Sequence, residues 1–183
     1  MPKLPQSIPK SEAQRWRFFS DGDCIHVVIE TSKGQRNKMK FDPNRSAFVL
    51  HRVLPAGTTF PYDFGFVPQT KAEDGDPLDV LVLMDESVSQ GSLVPARVIG
   101  IMEAVQKQNG QSIRNDRIIA VAAGAHDYRA VRKLADVSPN LLKELIHFFE
   151  SYHEMQGDKF KCKGLRGPRV ALRRIRDALV KDE

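Results

Sequence analysis

The sequence predicts an α+β domain that is mainly β, a compact barrel or curled antiparallel sheet followed by two helices. Two observations carry this. Short β-branched stretches separated by Gly, Pro and Asn fill the first two thirds of the chain, and both clear helical patterns fall near its end. Strands that precede any long helix leave no crossover helices for a βαβ parallel sheet.

In chain order, residues up to about Ser20 form an arm punctuated by Pro2, Pro5 and Pro9, expected as an appendage (1–20) to one domain (21–183). After Asp21-Gly22-Asp23, the run from Ile25 to Glu30 predicts a strand, and Lys33-Gly34 a turn. Further strands are predicted at Phe48 to Leu50, Asp79 to Met84, Leu93 to Met102 and Arg117 to Ala122. Ser138 offers an N-cap oxygen and Pro139 suits the first helical position. Leu141, Leu142, Leu145, Phe148, Phe149, Tyr152 and Met155 then recur at helical spacing until Gly157. A second helix is predicted from about Pro168 to Val180, with Leu172, Ile175 and Leu179 on one face and arginines on the other.

Composition excludes several classes. At 41% hydrophobic and 28% charged residues the chain lies far from the disordered regime. The longest apolar run, Val80 to Met84, is strand-sized, so no membrane span is expected. The first twenty residues lack the apolar core of a secretory signal, and Cys24 and Cys162 are too few for a disulfide framework, so a cytoplasmic location is expected. The net charge of +5 is uneven: nine basic residues stand against Asp177 alone between Lys159 and Lys181, while the rest of the chain is slightly acidic. Such a patch suits nucleic acid or another polyanion. A solvated helix face is the favoured reading, because no stacking aromatics are interleaved with the arginines.

The stretch Glu73-Asp74-Gly75-Asp76-Pro77-Leu78-Asp79 carries the chemistry. Gly75 permits a tight turn and Pro77 blocks helix, so Asp74, Asp76 and Asp79 fan from a turn. Converging carboxylates repel unless cations sit between them, and hard Mg²⁺, with Mn²⁺ as the alternative, is the expected occupant. A calcium loop competes, but wants Gly at its sixth position, where Asp79 stands. An acidic solvated turn is the bland alternative.

Asp74 to Val80 also resembles the signature of family I soluble inorganic pyrophosphatases. Val27-Val28-Ile29-Glu30, Arg36-Asn37-Lys38, His51-Arg52-Val53-Leu54, the aromatic segment from Phe60 to Pro68, and Ile146 to Tyr152 resemble other segments of that family, in family order. The resemblance implies a five-stranded OB-like barrel flanked by two main helices, which hydrolyses pyrophosphate to two phosphates by a metal-bound water. It implies metal ligation by Asp74 and Asp79, with Glu30 as an anchor behind them and Asp76 orienting or deprotonating the attacking water. Lys38, Arg52, Arg117 and Tyr152 would hold phosphate oxygens, although Tyr152 in its apolar stripe is equally a core residue. A homo-oligomer of unspecified size is also implied.

The chain departs from that pattern. Phe64 stands where the family usually has tyrosine, Lys40 where an acid is common, His153 where a lysine follows the tyrosine, and neutral Gln106 and Asn115 where acids are usual. Asn115 is placed in the metal-ligand position; a one-residue slide would put Asp116 there instead, turned to the other strand face. Fewer or weaker metal sites are expected. A hydrolase of an organic diphosphate, or a weakly catalytic anion- or nucleic-acid-binding protein, stays open beside pyrophosphate hydrolysis. The segment beyond Gly164 follows the last catalytic match and is expected to be dispensable for chemistry.

Overall fold

The computed structural model describes residues 24–108 and 110–180, so the expected N-terminal arm lies outside the described residues. Among the described residues nine strands run in the order β1 (Cys24–Thr31), β2 (Asn37–Asp42), β3 (Ala47–Val53), β4 (Asp63–Phe66), β5 (Asp79–Leu83), β6 (Leu93–Gln108), β7 (Gln111–Arg114), β8 (Arg117–Ala122) and β9 (Lys159–Arg166). Helix α1 (Pro139–Glu154) precedes β9, and α2 (Pro168–Asp177) follows it. Strands β1, β4, β5, β8 and β6 pair in that order, and β6 pairs back to β1, closing a ring of five.

The closed ring agrees with the five-stranded expectation, and of the two alternatives it leaves out the purely antiparallel sheet. Around a ring with an odd number of strands, directions cannot alternate throughout, so at least one neighbouring pair must run parallel. That pair is β5–β8, with Asp79 opposite Arg117 and Leu83 opposite Val121. The other ring pairings are antiparallel. Gly65 permits a close approach in the ring: a Cβ there would meet the Val28 carbonyl oxygen at 1.9 Å, so β4 lies against β1 without room for a side chain.

Both faces of β5 and β8 are covered, which explains their unbroken apolar runs. Val80, Val82, Ile118 and Ala120 share one core with Ala171, Leu172 and Ile175 of α2. Leu81, Leu83, Ile119 and Val121 share the other with Leu145, Phe149 and Tyr152 of α1. The period of two along each strand assigns alternate residues to the two cores. Helix α1 starts at Pro139 as predicted, but Ser138 makes no capping hydrogen bond through its side chain, and Met155 is exposed.

The basic C-terminal segment is two structures. Lys159, Lys161 and Lys163 are the outward residues of β9, which buries Phe160 and pairs with β6, an alternation masked in the sequence by the run of charge. On α2, Arg169, Arg173 and Arg176 face solvent, in keeping with the solvated-face reading. Its other face is core, and the chain beyond is tied back, Lys71 N donating to Ala178 O at 2.7 Å and Val180 N to Gln69 O at 2.9 Å. The segment beyond Gly164 is therefore part of the packed fold. Removing it would expose the core around Val80 and Ile118.

Two stability predictions follow from this packing. Ile175→Ala is expected to cost about 2–5 kcal/mol, read from the urea midpoint, because Ile175 is fully buried beneath α2. His153 is buried and stacked on Phe160, with ring centroids 4.8 Å apart, and among the described residues neither ring nitrogen has a hydrogen-bond partner. Burial, and then the nearby charges of Arg117, Lys38 and Arg52, push its pKa down to about 3. Below the ordinary value near 6.5 the unfolded imidazole takes a proton that the folded one refuses. Its contribution to stability is therefore present above pH 6.5 and lost as pH falls toward 3. His153→Phe should flatten the pH dependence of the unfolding free energy across that window; an unchanged slope would contradict the assignment.

Candidate active site

One cavity of about 220 Å³ gathers every residue expected from the sequence to ligate metal, bind substrate or act on water: Glu30, Lys38, Arg52, Asp74, Asp76, Asp79, Asn115, Arg117 and Tyr152. Each arrives by a local rule. Lys38 and Lys40 are two apart on β2 and so share a face. Lys38 also lies directly opposite Arg52 in the β2–β3 pair. Like charges facing across a ladder are unfavourable unless an anion lies between them. Lys38 Nζ sits over the rings of Phe64 and Tyr152, at 5.3 and 6.0 Å from their centroids, so the aromatic segment and α1 form the floor beneath it. Arg52 is steadied by a hydrogen bond to Gln156 and by Asp158 at 3.5 Å.

The parallel β5–β8 pair brings Asp79 and Arg117 together at the first residue of each strand, with Arg117 Nη1 2.7 Å from Asp79 Oδ2. Arg117 is only 2% exposed, walled by the rings of Phe64, Phe149 and Phe160. Asp76 N donates to Asp74 Oδ1 at 3.1 Å, the turn that Gly75 permits at φ +90°. Asp76 itself is met by Lys40 Nζ at 2.6 Å. Because β5 begins at Asp79, the calcium-loop alternative is excluded: the chain enters a strand where that loop would continue.

Crowding of acids appears as shifted titration. Asp74 is raised above its usual range, first by partial desolvation and then by the neighbouring Asp79 and Asp76. Glu30, buried and accepting the Phe41 N–H at 2.7 Å, is raised to about 7, chiefly by burial, with Asp79 adding to the shift. The acidic acceptors facing the cavity are all oxygens, and Asn115 adds an amide oxygen, a donor set that fits a hard divalent cation. Among the described residues no three His, Cys, Asp or Glu side chains stand close enough to hold an ion as arranged, with Asp76 and Asp79 each turned to an internal cation.

Asn115 and Asp116 point to opposite sides of the segment before β8. Asn115 lines the cavity, accepting from Arg117 at Oδ1 and donating from Nδ2 to Gln106 Oε1 at 2.5 Å. Asp116 turns away, accepting from Ala104 N at 3.0 Å and Arg114 Nε at 2.6 Å, with Arg174 of α2 at 3.6 Å. Lys40, singled out from the sequence as a departure from the family pattern, shares a face with Lys38 and joins the cavity. Sequence reasoning missed one neighbour of the site. Asp158, which accepts from Gln106 Nε2 at 3.4 Å and neighbours Arg52, had no signal, since its place depends on the turn at Gly157 between α1 and β9.

Comparison with known proteins places the chain among its relatives. Residues 27–181 match the family model described as inorganic pyrophosphatase. The inorganic pyrophosphatase of Nostoc sp. is 41% identical over 132 residues, covering 72% of this chain and 76% of that one. The enzyme of that name from Thermus thermophilus is 35% identical over 162 residues, 87% and 90% of the two chains. The crystal structure of the Thermus thermophilus inorganic pyrophosphatase superposes with a TM-score of 0.80 at 32% identity, covering 96% of this chain and 94% of that one. The Helicobacter pylori inorganic pyrophosphatase structure likewise gives 0.80 at 31% identity, with 88% and 95% covered. With its own residues assembled in one cavity and its sequence matched nearly throughout, the chain belongs to the inorganic pyrophosphatase family.

Proposed function

We propose that the protein hydrolyses inorganic pyrophosphate to two phosphates in a reaction that depends on divalent metal ions, with Mg²⁺ the expected ion and Mn²⁺ an alternative. The supporting observation is one cavity in which a carboxylate turn faces an opposed pair of cations, Lys38 and Arg52. A small, doubly phosphorylated anion matches that division: its oxygens lie on the basic side and its metal ions on the acidic side. No feature of the cavity favours an organic diphosphate or nucleic acid in its place.

In this reading Lys38, Arg52 and Arg117 bind phosphate oxygens, and the Tyr152 phenol donates to the same anion. Arg117 suits the role because burial among aromatic rings holds its guanidinium in one orientation. Tyr152 serves as core and site together, being 2% exposed and still lining the cavity. Asp74 and Asp79 would hold the metal, with Glu30 behind them and the amide oxygen of Asn115 beside them. When bound, the ions supply positive charge that acidifies water and neutralises phosphate oxygens. Asp76 receives the proton from the attacking water, and its contact with Lys40 keeps its carboxylate at the cavity edge. The P–O bond to the leaving phosphate breaks as the water oxygen bonds to phosphorus, and the leaving oxygen's charge falls on the basic wall.

Among the described residues no helix is long and apolar enough to cross a membrane. A cytoplasmic location is proposed with the activity. We also propose self-association into a homo-oligomer, supported by the exposed apolar side chains of Leu50 and Val53 on β3.

Phosphate release from pyrophosphate, with and without Mg²⁺, tests the function directly. Asp79→Asn should lower kcat by roughly 10² to 10⁴-fold while leaving the fold intact. Near-wild-type turnover by that variant would sink the metal assignment. Arg52→Gln should act mainly on KM, raising it about tenfold or more, because it removes a charge-assisted contact to substrate oxygens.

A further inference from the structure

The cavity lining already carries cations close to its carboxylates. It holds four carboxylates and four fixed cations, Lys38, Lys40, Arg52 and Arg117. Two of the carboxylates are already matched, Asp76 with Lys40 and Asp79 with Arg117. The wall beside Arg117 adds no charge where it meets the cavity: Arg117 donates to Asn115 and Asn115 donates to Gln106. An array that binds several divalent ions needs excess negative charge to offset their mutual repulsion and their dehydration. In this one, two of the four lining carboxylates are already committed to cations.

Lys40 is the cation of this set with the least structural reason to be there. Arg117 is buried and held on several sides, whereas the Lys40–Asp76 contact is open to solvent, 36% and 50% exposed, and so is weak as a stabilising pair. The stem of Lys40 is nevertheless well placed. The next residue, Phe41, is pinned through its N–H to Glu30 and packs its ring against Phe48 and Phe66. Strand alternation then sends the Lys40 side chain to the cavity with Lys38.

We propose that Lys40 is a built-in cation that takes the place of a divalent ion at Asp76, so that this chain binds fewer metal ions with its substrate than its carboxylates alone would draw in. The proposal rests on the pyrophosphatase reading of the cavity. An ammonium delivers a single positive charge to the same carboxylate edge at a smaller dehydration cost than a divalent ion, and it repels a second cation from that edge. Its place on β2 makes it permanent, whereas an ion is exchangeable. Lys40 therefore sets metal stoichiometry.

Mn²⁺ binding tests this, measured by calorimetry on the full chain with the non-hydrolysable analogue methylene diphosphonate present. Lys40→Gln, which removes the charge, should bind one more Mn²⁺ per chain than wild type, or bind its weakest ion about tenfold more tightly. Lys40→Glu should strengthen that effect, and Lys40→Arg, which keeps the charge, should match wild type. Unchanged number and affinity in Lys40→Gln, or weaker binding, would overturn the proposal. Should Lys40→Glu fail to fold by thermal melting, the comparison of Lys40→Gln with Lys40→Arg decides. Phosphate release by the wild type is measured alongside: its absence defeats the functional reading, whereas normal turnover with Mn²⁺ binding indifferent to Lys40 defeats only the role given to this lysine.

Discussion

Closing five strands into a ring forces one parallel contact, and the site depends on where that contact falls. Because β5 and β8 run the same way, both strands begin at the same end of the ring, and their first residues, Asp79 and Arg117, become neighbours. In an antiparallel pair the start of one strand would face the end of the other, and these two side chains would lie a strand's length apart. The same pair lies between the two cores, so α1 and α2 both bear on the position of the acid and the guanidinium.

The site's charges are held by neighbours of opposite character. Lys38 and Arg117 rest against aromatic faces, which offer a cation electrostatic attraction without competing for its hydrogen-bond donors. The carboxylates of the β4–β5 turn stay near water, where three close negative charges are tolerable. Glu30 is the exception, buried with one backbone donor, and its raised pKa records the energetic cost of that place. A cavity so divided selects a ligand with both anionic oxygens and accompanying cations.

The C-terminal helix belongs to the site through Asp116. This carboxylate, buried behind Asn115 and Arg117, gathers the Ala104 amide and Arg114, with Arg174 of α2 beyond them. Glu103 extends the cluster by pairing with both Arg114 and Arg166. Alternation does the sorting: on a segment with period two, Asn115 and Arg117 face the cavity, so Asp116 between them faces the support. The basic residues Arg166 and Arg174, read from the sequence as part of a charged surface, thus meet acids that hold the active-site wall.

What the sequence determined by itself is what depends on near neighbours along the chain. Hydrophobic periodicity placed β1, β5, β8, α1 and α2; Gly75 and Pro77 shaped the carboxylate turn; and the resemblance of short motifs to a known family made Glu30, Lys38, Arg52 and Tyr152 candidates for one cavity. The edge strand β9 escaped because its outward lysines mimic a surface charge run, and β4 and β7 because four residues are too few to display a period. Only the tertiary structure decided which charges pair. Asp79 with Arg117, Asp76 with Lys40, Arg52 with Asp158, and Asp116 with Arg174 each join residues from different elements, and no local rule specifies a contact that exists only once the ring has closed. Coulomb energy depends on distance in space, so the pairing of charges in the cavity is a property of the fold.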